Sequence, residues 1–200
     1  MTIELPSLPG LSWTHHEGQH RQDGDTLVLI SDDNVDWTND AAGAPAYHTS
    51  TSLSFDTDGP FQLSARVSVD APRTTFDAAA LTLWVDENCW AKLCFEYSPQ
   101  GEEMVVSVVT DRYSDDSNGP VILDGSAWLR ISTLPGAHAY AFHYSLDGTT
   151  WNFVRQFRLN TSTRPRVGLM SQAPMGPAAA ARFSEITFRQ TQIADVRDGS

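Results

Sequence analysis

The stretch AAALTLWVDENCWAKLCFEY, Ala78 to Tyr97, alternates with a period of two on either side of a polar turn, Asp86-Glu87-Asn88. That period belongs to strands with one buried face, so the stretch predicts a β-hairpin. With the three polar residues as its loop, Leu83 opposes Ala91, Leu81 opposes Leu93 and Ala79 opposes Phe95. A slip of one residue would turn the whole apolar set to the other face, so this register is strongly specified. The opposite face then pairs Trp84 with Trp90, Thr82 with Lys92, Ala80 with Cys94 and Ala78 with Glu96. Small alanines beside a lysine and a carboxylate, walled at one end by two indoles, predict a groove rather than a filled core.

The same alternation recurs along the chain. In FQLSARVSVD, Phe61, Leu63, Ala65, Val67 and Val69 face in, while Gln62, Ser64, Arg66, Ser68 and Asp70 face out. Further strands are expected at Thr26 to Ser31, Ala79 to Val85, Trp90 to Tyr97, Met104 to Thr110 and Trp128 to Thr133. Others are expected at His138 to Ser145, Trp151 to Arg158, Arg166 to Ser171 and Ala181 to Arg189. About ten strands at this spacing indicate an all-β sandwich or barrel. Asp147-Gly148 between two alternating runs predicts a type I′ hairpin. Residues 1 to 190 read as one domain, and the last ten, TQIADVRDGS, as a loose C-terminal tail.

The charge limits the partners. A net charge of -12, with 13 Lys and Arg scattered along the chain, argues against nucleic acid and anionic membranes, which need basic clusters. A neutral or cationic ligand is easier to accommodate. No run of ~20 apolar residues spans a membrane, and MTIELPSLPGLSW shows no basic flank or apolar core of a signal peptide. Cys89 and Cys94 would face opposite ways on one strand, roughly 17 Å apart, too far for a disulfide. A reducing cytoplasm is the expected location.

Two motifs suggest metal and fail on their surroundings. HEGQH, His16 to His20, matches the H-E-x-x-H zinc pattern, but Gly18 interrupts it and its neighbours are strand and turn rather than helix. DDNVDW, Asp32 to Trp37, has alternating acids but lacks the glycine and glutamate of a calcium loop. It reads as a solvated acidic loop, as do Asp111, Asp115 and Asp116. Neither a metal nor a cofactor is expected.

Aromatic planes beside polar hooks remain. Sugar rings pack C–H faces on aromatic surfaces and place hydroxyls on carboxylates, amides and ammonium groups. Trp37, with Asp36 before it, Trp84 and Trp90 could supply the planes, and Lys92 and Glu96 the hooks. Asp77, just before the partner strand, could close the Glu96 end.

Here a resemblance becomes specific. The order Asp36-Trp37, FQLSARV, FDAAALTLWVDENCWAKLCFE, VVTDRYSDD, WLRIS, SLDGTTWNFVRQF and RVGLMSQAP resembles the domain-of-unknown-function family that includes regulation-of-enolase-type proteins. The likeness covers roughly residues 10 to 190. Members are similar to concanavalin A-like lectins and glucanases, which implies a two-sheet antiparallel jelly roll whose concave sheet forms a cleft. By that resemblance Asp77, Lys92, Glu96, Thr110 and Asp115 line the cleft. Glucanase relatives carry paired acids on one cleft strand, whereas this strand has Lys92 where a second acid would stand.

Three functions are therefore expected as alternatives. The first is a cytoplasmic, lectin-like carbohydrate-binding protein, monomeric or homodimeric, stacking a mono- or oligosaccharide on Trp90, Trp84 and Trp37. Its hooks are Lys92, Glu96, Asp77, Thr110, Asp115 and Asp36. The second is a glycoside hydrolase-like enzyme using Glu96 with Asp77 or Asp115, in which a Lys92–Glu96 ion pair would lower the Glu96 pKa. The third is a regulatory protein-interaction module.

Overall fold

The computed structural model describes residues 2–6 and 8–200. Short strands come first: β1 (Ser12–Trp13), β2 (Gln19–Asp23), β3 (Thr26–Ile30), β4 (Trp37–Thr38), β5 (Tyr47–His48) and β6 (Ser52–Phe55). The central strands are β7 (Gln62–Val69), β8 (Ala78–Asp86), β9 (Cys89–Tyr97), β10 (Glu103–Asp111) and β11 (Tyr113–Val121). The chain continues through β12 (Ala127–Thr133), β13 (Ala139–Ser145), β14 (Asn152–Arg158), β15 (Arg166–Gln172) and β16 (Ala180–Arg189). No helix occurs among the described residues.

Two antiparallel seven-stranded sheets form a jelly-roll sandwich. The front sheet runs β1-β6-β15-β8-β9-β10-β11 and the back sheet β14-β13-β12-β7-β16-β3-β2, while β4 and β5 pair separately. Between the sheets lie Leu53, Leu63, Leu81, Leu93, Leu129, Ile131, Phe95, Phe142 and Phe183, all out of contact with water. Each such side chain contributes about 1.5–3 kcal/mol, so one continuous core holds the layers together.

The β8–β9 hairpin adopts the expected register throughout, from Ala78 opposite Glu96 to Trp84 opposite Trp90. Its turn is tighter than expected. Strand β8 continues to Asp86, leaving Glu87-Asn88 as the turn, and a register shift between Trp84 and Asp86 absorbs the extra residue. The Asp147-Gly148 turn is looser than a type I′ hairpin, with a longer loop between β13 and β14. Gly148 has a positive φ of 73° and Asp147 does not. The Asp147 carboxylate instead gathers the N–H groups of Thr149 and Thr150 and the hydroxyls of Ser145 and Thr150.

Strand β11 was not expected. Its sequence, YSDDSNGPV, is polar and contains Gly and Pro, which suits a sheet edge, where one side of the ladder faces water. The final segment is not loose either. Val196 O accepts a bond from His143 Nε2 at 2.7 Å, Gly199 O accepts one from Arg130 Nη1 at 2.7 Å, and Ile193 is buried. These residues fold back over the outward face of the back sheet, because backbone carbonyls satisfy two buried donors there.

Candidate functional site

The outward face of the front sheet is built around a buried cation. Lys92, on β9, stands in a cross-strand row with Thr82 on β8, Val108 on β10 and Asp116 on β11. Its Nζ donates three bonds of 2.8 Å, to Asp36 Oδ1, Trp37 O and Gln172 Oε1. An ammonium has three N–H donors, so all are used. Burial alone would lower its pKa, but the Asp36 charge and hydrogen bond, with help from Glu96, outweigh this and raise it. Lys92 is therefore a permanently charged strut, not the free hook expected from the sequence.

The segment between β3 and β6 lies across this face. Trp37 is fully buried against Trp90, with ring centroids 5.9 Å apart, and its Nε1 donates to Ser50 O at 2.8 Å. Asn39 fastens the segment at its far end. Its Nδ2 donates to Glu87 O and Arg112 O, its Oδ1 accepts from His48 Nε2 at 2.8 Å, and its N–H bonds Ser114 Oγ. The open groove expected at the Trp90 end is thus filled by Trp37. Ala78, Ala80, Cys94, Val106, Val108 and Met170 form a second buried apolar cluster with the two indoles.

Glu96 stands apart from these bonds. No described residue forms an ion pair with its carboxyl, because Lys92 is committed to Asp36. Burial pushes its pKa up to about 7; Lys92 opposes the rise, and Asp36 and Asp116 reinforce it. The expected Lys92–Glu96 pair is absent, and with it the expected downward shift. A carboxyl that is half protonated near neutrality can donate or accept a proton at physiological pH. Burial likewise raises the Asp116 pKa.

Trp84 is the indole that keeps an accessible surface, while Trp37 and Trp90 are closed off. Its ring centroid lies 4.5 Å from those of Trp37 and His15 and 5.7 Å from that of His48. Burial lowers the pKa of both histidines, with the charge of His48 adding to the effect on His15. Both imidazoles are therefore neutral at pH 7, each with one donor and one acceptor. Trp90 Nε1 is buried with no partner among the described residues.

Three expected site residues do other work. Asp77 is buried, its carboxylate accepting from Thr74 N at 2.6 Å and Thr74 Oγ1 at 2.8 Å, so it closes the loop before β8. Thr110 Oγ1 lies 3.0 Å from Ser114 Oγ and helps tie down the covering segment. Asp115 faces the wrong way for the cleft: it stands opposite Val109, which packs on the core, and pairs with Arg155 Nη2 on the back sheet at 2.7 Å. Its neighbour Asp116 takes the outward position. Sequence reasoning missed Asp116, His15, His48, Asn39 and Gln172. Gln172 alone left a signal, continuing the outward alternation of β15 after Gly168 and Met170.

The metal-like motifs disperse. His16 pairs with Asp32 at 3.3 Å while His20 lies on β2, and Asp33 accepts from Ala178 N at 2.8 Å. No group of three or more His, Cys, Asp or Glu among the described residues could hold a metal ion.

With this geometry in view, comparison with known proteins gives a clear result. The family described as protein of unknown function (DUF1349) matches residues 13–191. The chain belongs to this family. Among solved structures, a functionally unknown protein from Saccharomyces cerevisiae superposes with a TM-score of 0.78 at 24% identity, over 90% of this chain and 96% of that one. The GH43 protein BlXynB from Bacillus licheniformis gives 0.64 at 15% identity over 84% of this chain, but only 33% of its own length. The exoplasmic/lumenal domain of VIP36, in its Ca2+/Man3GlcNAc-bound form, gives 0.54 at 7% identity, over 92% of this chain and 85% of that one. These likenesses show that the DUF1349 chain shares its fold with the yeast protein, with the VIP36 domain and with part of the GH43 protein. A search of curated proteins finds no match.

Proposed function

We propose that this protein binds carbohydrate on the outward face of its front sheet, at the exposed part of Trp84 and along the rim formed by Asp36, Glu96 and Asp116. The observation that carries this reading is the setting of Trp84, an accessible indole between two neutral imidazoles and close to a charged, hydrogen-bonded floor. A sugar needs an apolar plane with donors and acceptors around its edge. Trp37, Trp90 and Lys92 support the site from beneath. The VIP36 domain, which shares this fold, has been solved with Man3GlcNAc bound, and that agrees with this reading. Two thiols that remain free suit a reducing cytoplasm. A glycan and oligosaccharide screen by thermal shift tests the proposal. A binding sugar stabilises the wild type in proportion to ln(1 + [L]/Kd), and Trp84→Ala removes the shift. No stabilisation by any glycan contradicts it.

Glu96 favours a second reading, a carbohydrate-active enzyme in which it acts as general acid. Asp36 and Asp116, rather than Asp77 or Asp115, are the carboxylates near enough to influence it. Hydrolysis of aryl glycosides that falls away as pH rises through about 7 and is lost in Glu96→Gln would support this reading, and sugar binding without turnover would leave the first standing.

A further inference from the structure

The outward face of the back sheet holds a polar group beneath the segment Ile193–Gly199. Arg130 on β12 stands directly opposite His143 on β13, and Ser132 lies two residues along on the same face. Arg130 is 9% exposed, and His143 and Ser132 are 0% exposed. Each has a buried polar atom without a partner among the described residues: Arg130 Nε, His143 Nδ1 and Ser132 Oγ. Buried polar atoms nearly always find partners, so three on neighbouring positions mark an unusual place.

Arg130 is the sharpest anomaly. Its guanidinium carbon lies 3.5 Å from the centroid of Trp151, and its Nη1 donates to Gly199 O at 2.7 Å. No carboxylate among the described residues pairs with it, although the chain has 25 Asp and Glu against 13 Lys and Arg. Burial, with Arg189 nearby, pulls its pKa down to about 10. A buried cation is ordinarily paired. The edge left unused, Nε with Nη2, is the side-on fork that takes two oxygens of a carboxylate or phosphate.

We propose that this edge of Arg130, with Ser132 and His143 beside it, binds an oxyanion, and that Ile193–Gly199 is a displaceable cover over the site. The cover is fitted rather than casual. Gly199 has a φ of +70°, and a Cβ there would come within 2.9 Å of Trp151 Cβ and 3.3 Å of His143 Cδ2. Glycine alone brings its carbonyl comfortably onto Arg130 at that position. Arg197 adds a contact, its guanidinium carbon 4.6 Å from the Phe153 ring centroid. The cover offers Arg130 and His143 neutral carbonyls, so it satisfies one donor on each and gives Arg130 no paired carboxylate. Because Arg130 Nε, His143 Nδ1 and Ser132 Oγ are shielded from solvent, the oxyanion reaches them only when the cover lifts. Lifting also moves Asp198, whose charge acts on His143.

Calorimetric titration of the full chain with inorganic phosphate and with citrate tests this proposal. Gly199→Val loosens the cover by collision with Trp151 and is expected to bind one probe at least tenfold more tightly than wild type. Arg197→Ala, which frees the cover from Phe153 without a collision, is expected to shift affinity the same way. Adding Arg130→Gln to either variant abolishes the binding. Whether phosphate or citrate binds identifies the oxyanion class. Absence of binding to both probes in the loosened variants, equal affinity in wild type, or binding that survives Arg130→Gln overturns the proposal.

Discussion

Lys92 Nζ bonds Asp36 Oδ1 at 2.8 Å across 56 residues of sequence, and leaves Glu96, on the same face of its own strand, without a counter-charge in contact. One commitment has two consequences. The covering segment is held to the front sheet by a charge pair whose ammonium is buried, and a neighbouring carboxyl keeps its proton close to neutrality.

The first consequence predicts a stability effect. Removing the buried Lys92 ammonium leaves Trp37 O and Gln172 Oε1 without their donor and the partly exposed Asp36 without its counter-charge, which costs about 3 kcal/mol. Lys92→Met should therefore lower the stability measured by urea unfolding by that amount, exposing Trp37 and Trp90. Asp36→Leu combined with Lys92→Met should cost less than the sum of the single changes, as a double-mutant cycle would show.

The second predicts a pH dependence. Glu96 rises from an ordinary value of 4.5 to about 7 in the folded protein. Between those values the folded chain holds a proton that the unfolded chain has released, so stability falls as pH rises through this window and stays lower above it. Neutral histidines act oppositely, adding stability as pH rises from their lowered folded values up to the unfolded value of 6.5. The comparison is therefore wild type against Glu96→Gln. The variant should gain roughly 2 kcal/mol relative to wild type on going from pH 5 to pH 8, read from urea midpoints. An unchanged difference would remove the elevated Glu96.

Adjacent acids on β11 provide a contrast. Asp116 stands in the Lys92 row and its charge raises Glu96, whereas Asp115 pairs with Arg155 on the other side. Asp116→Asn should lower the Glu96 pKa measured by carboxyl NMR, and Asp115→Asn should leave it in place.

The two tryptophans of the hairpin should separate as well. Trp90 is fully buried and Trp84 is not. Trp90→Ala should cost about 3–5 kcal/mol, the loss typical of a large core side chain. Trp84→Ala should cost clearly less in the same unfolding assay.

Much of this architecture was legible in the sequence. The β8–β9 register followed from one constraint, that every apolar residue share a face. Strand β11 gave no such constraint. A polar edge strand has no apolar face to set its phase, so the choice between Asp115 and Asp116 could not be read. Trp37 was recognised as an aromatic plane but not as the plug of the groove, since a loop carries no periodicity to reveal which face it covers. The Lys92–Asp36 bond was hidden for the same reason. The Ile193–Gly199 segment docks chiefly through backbone carbonyls, which every residue possesses and no composition betrays.

Carbohydrate recognition at Trp84 is tested most directly by NMR titration of labelled protein with a glycan that stabilises it in the thermal-shift screen. The indole N–H signal of Trp84 and the ring signals of His48 should move together and saturate, while those of Trp151, just before β14 of the back sheet, stay still. Shifts confined to Trp151, or none at Trp84 at a saturating glycan concentration, would contradict the assignment of the front-sheet face as the sugar site.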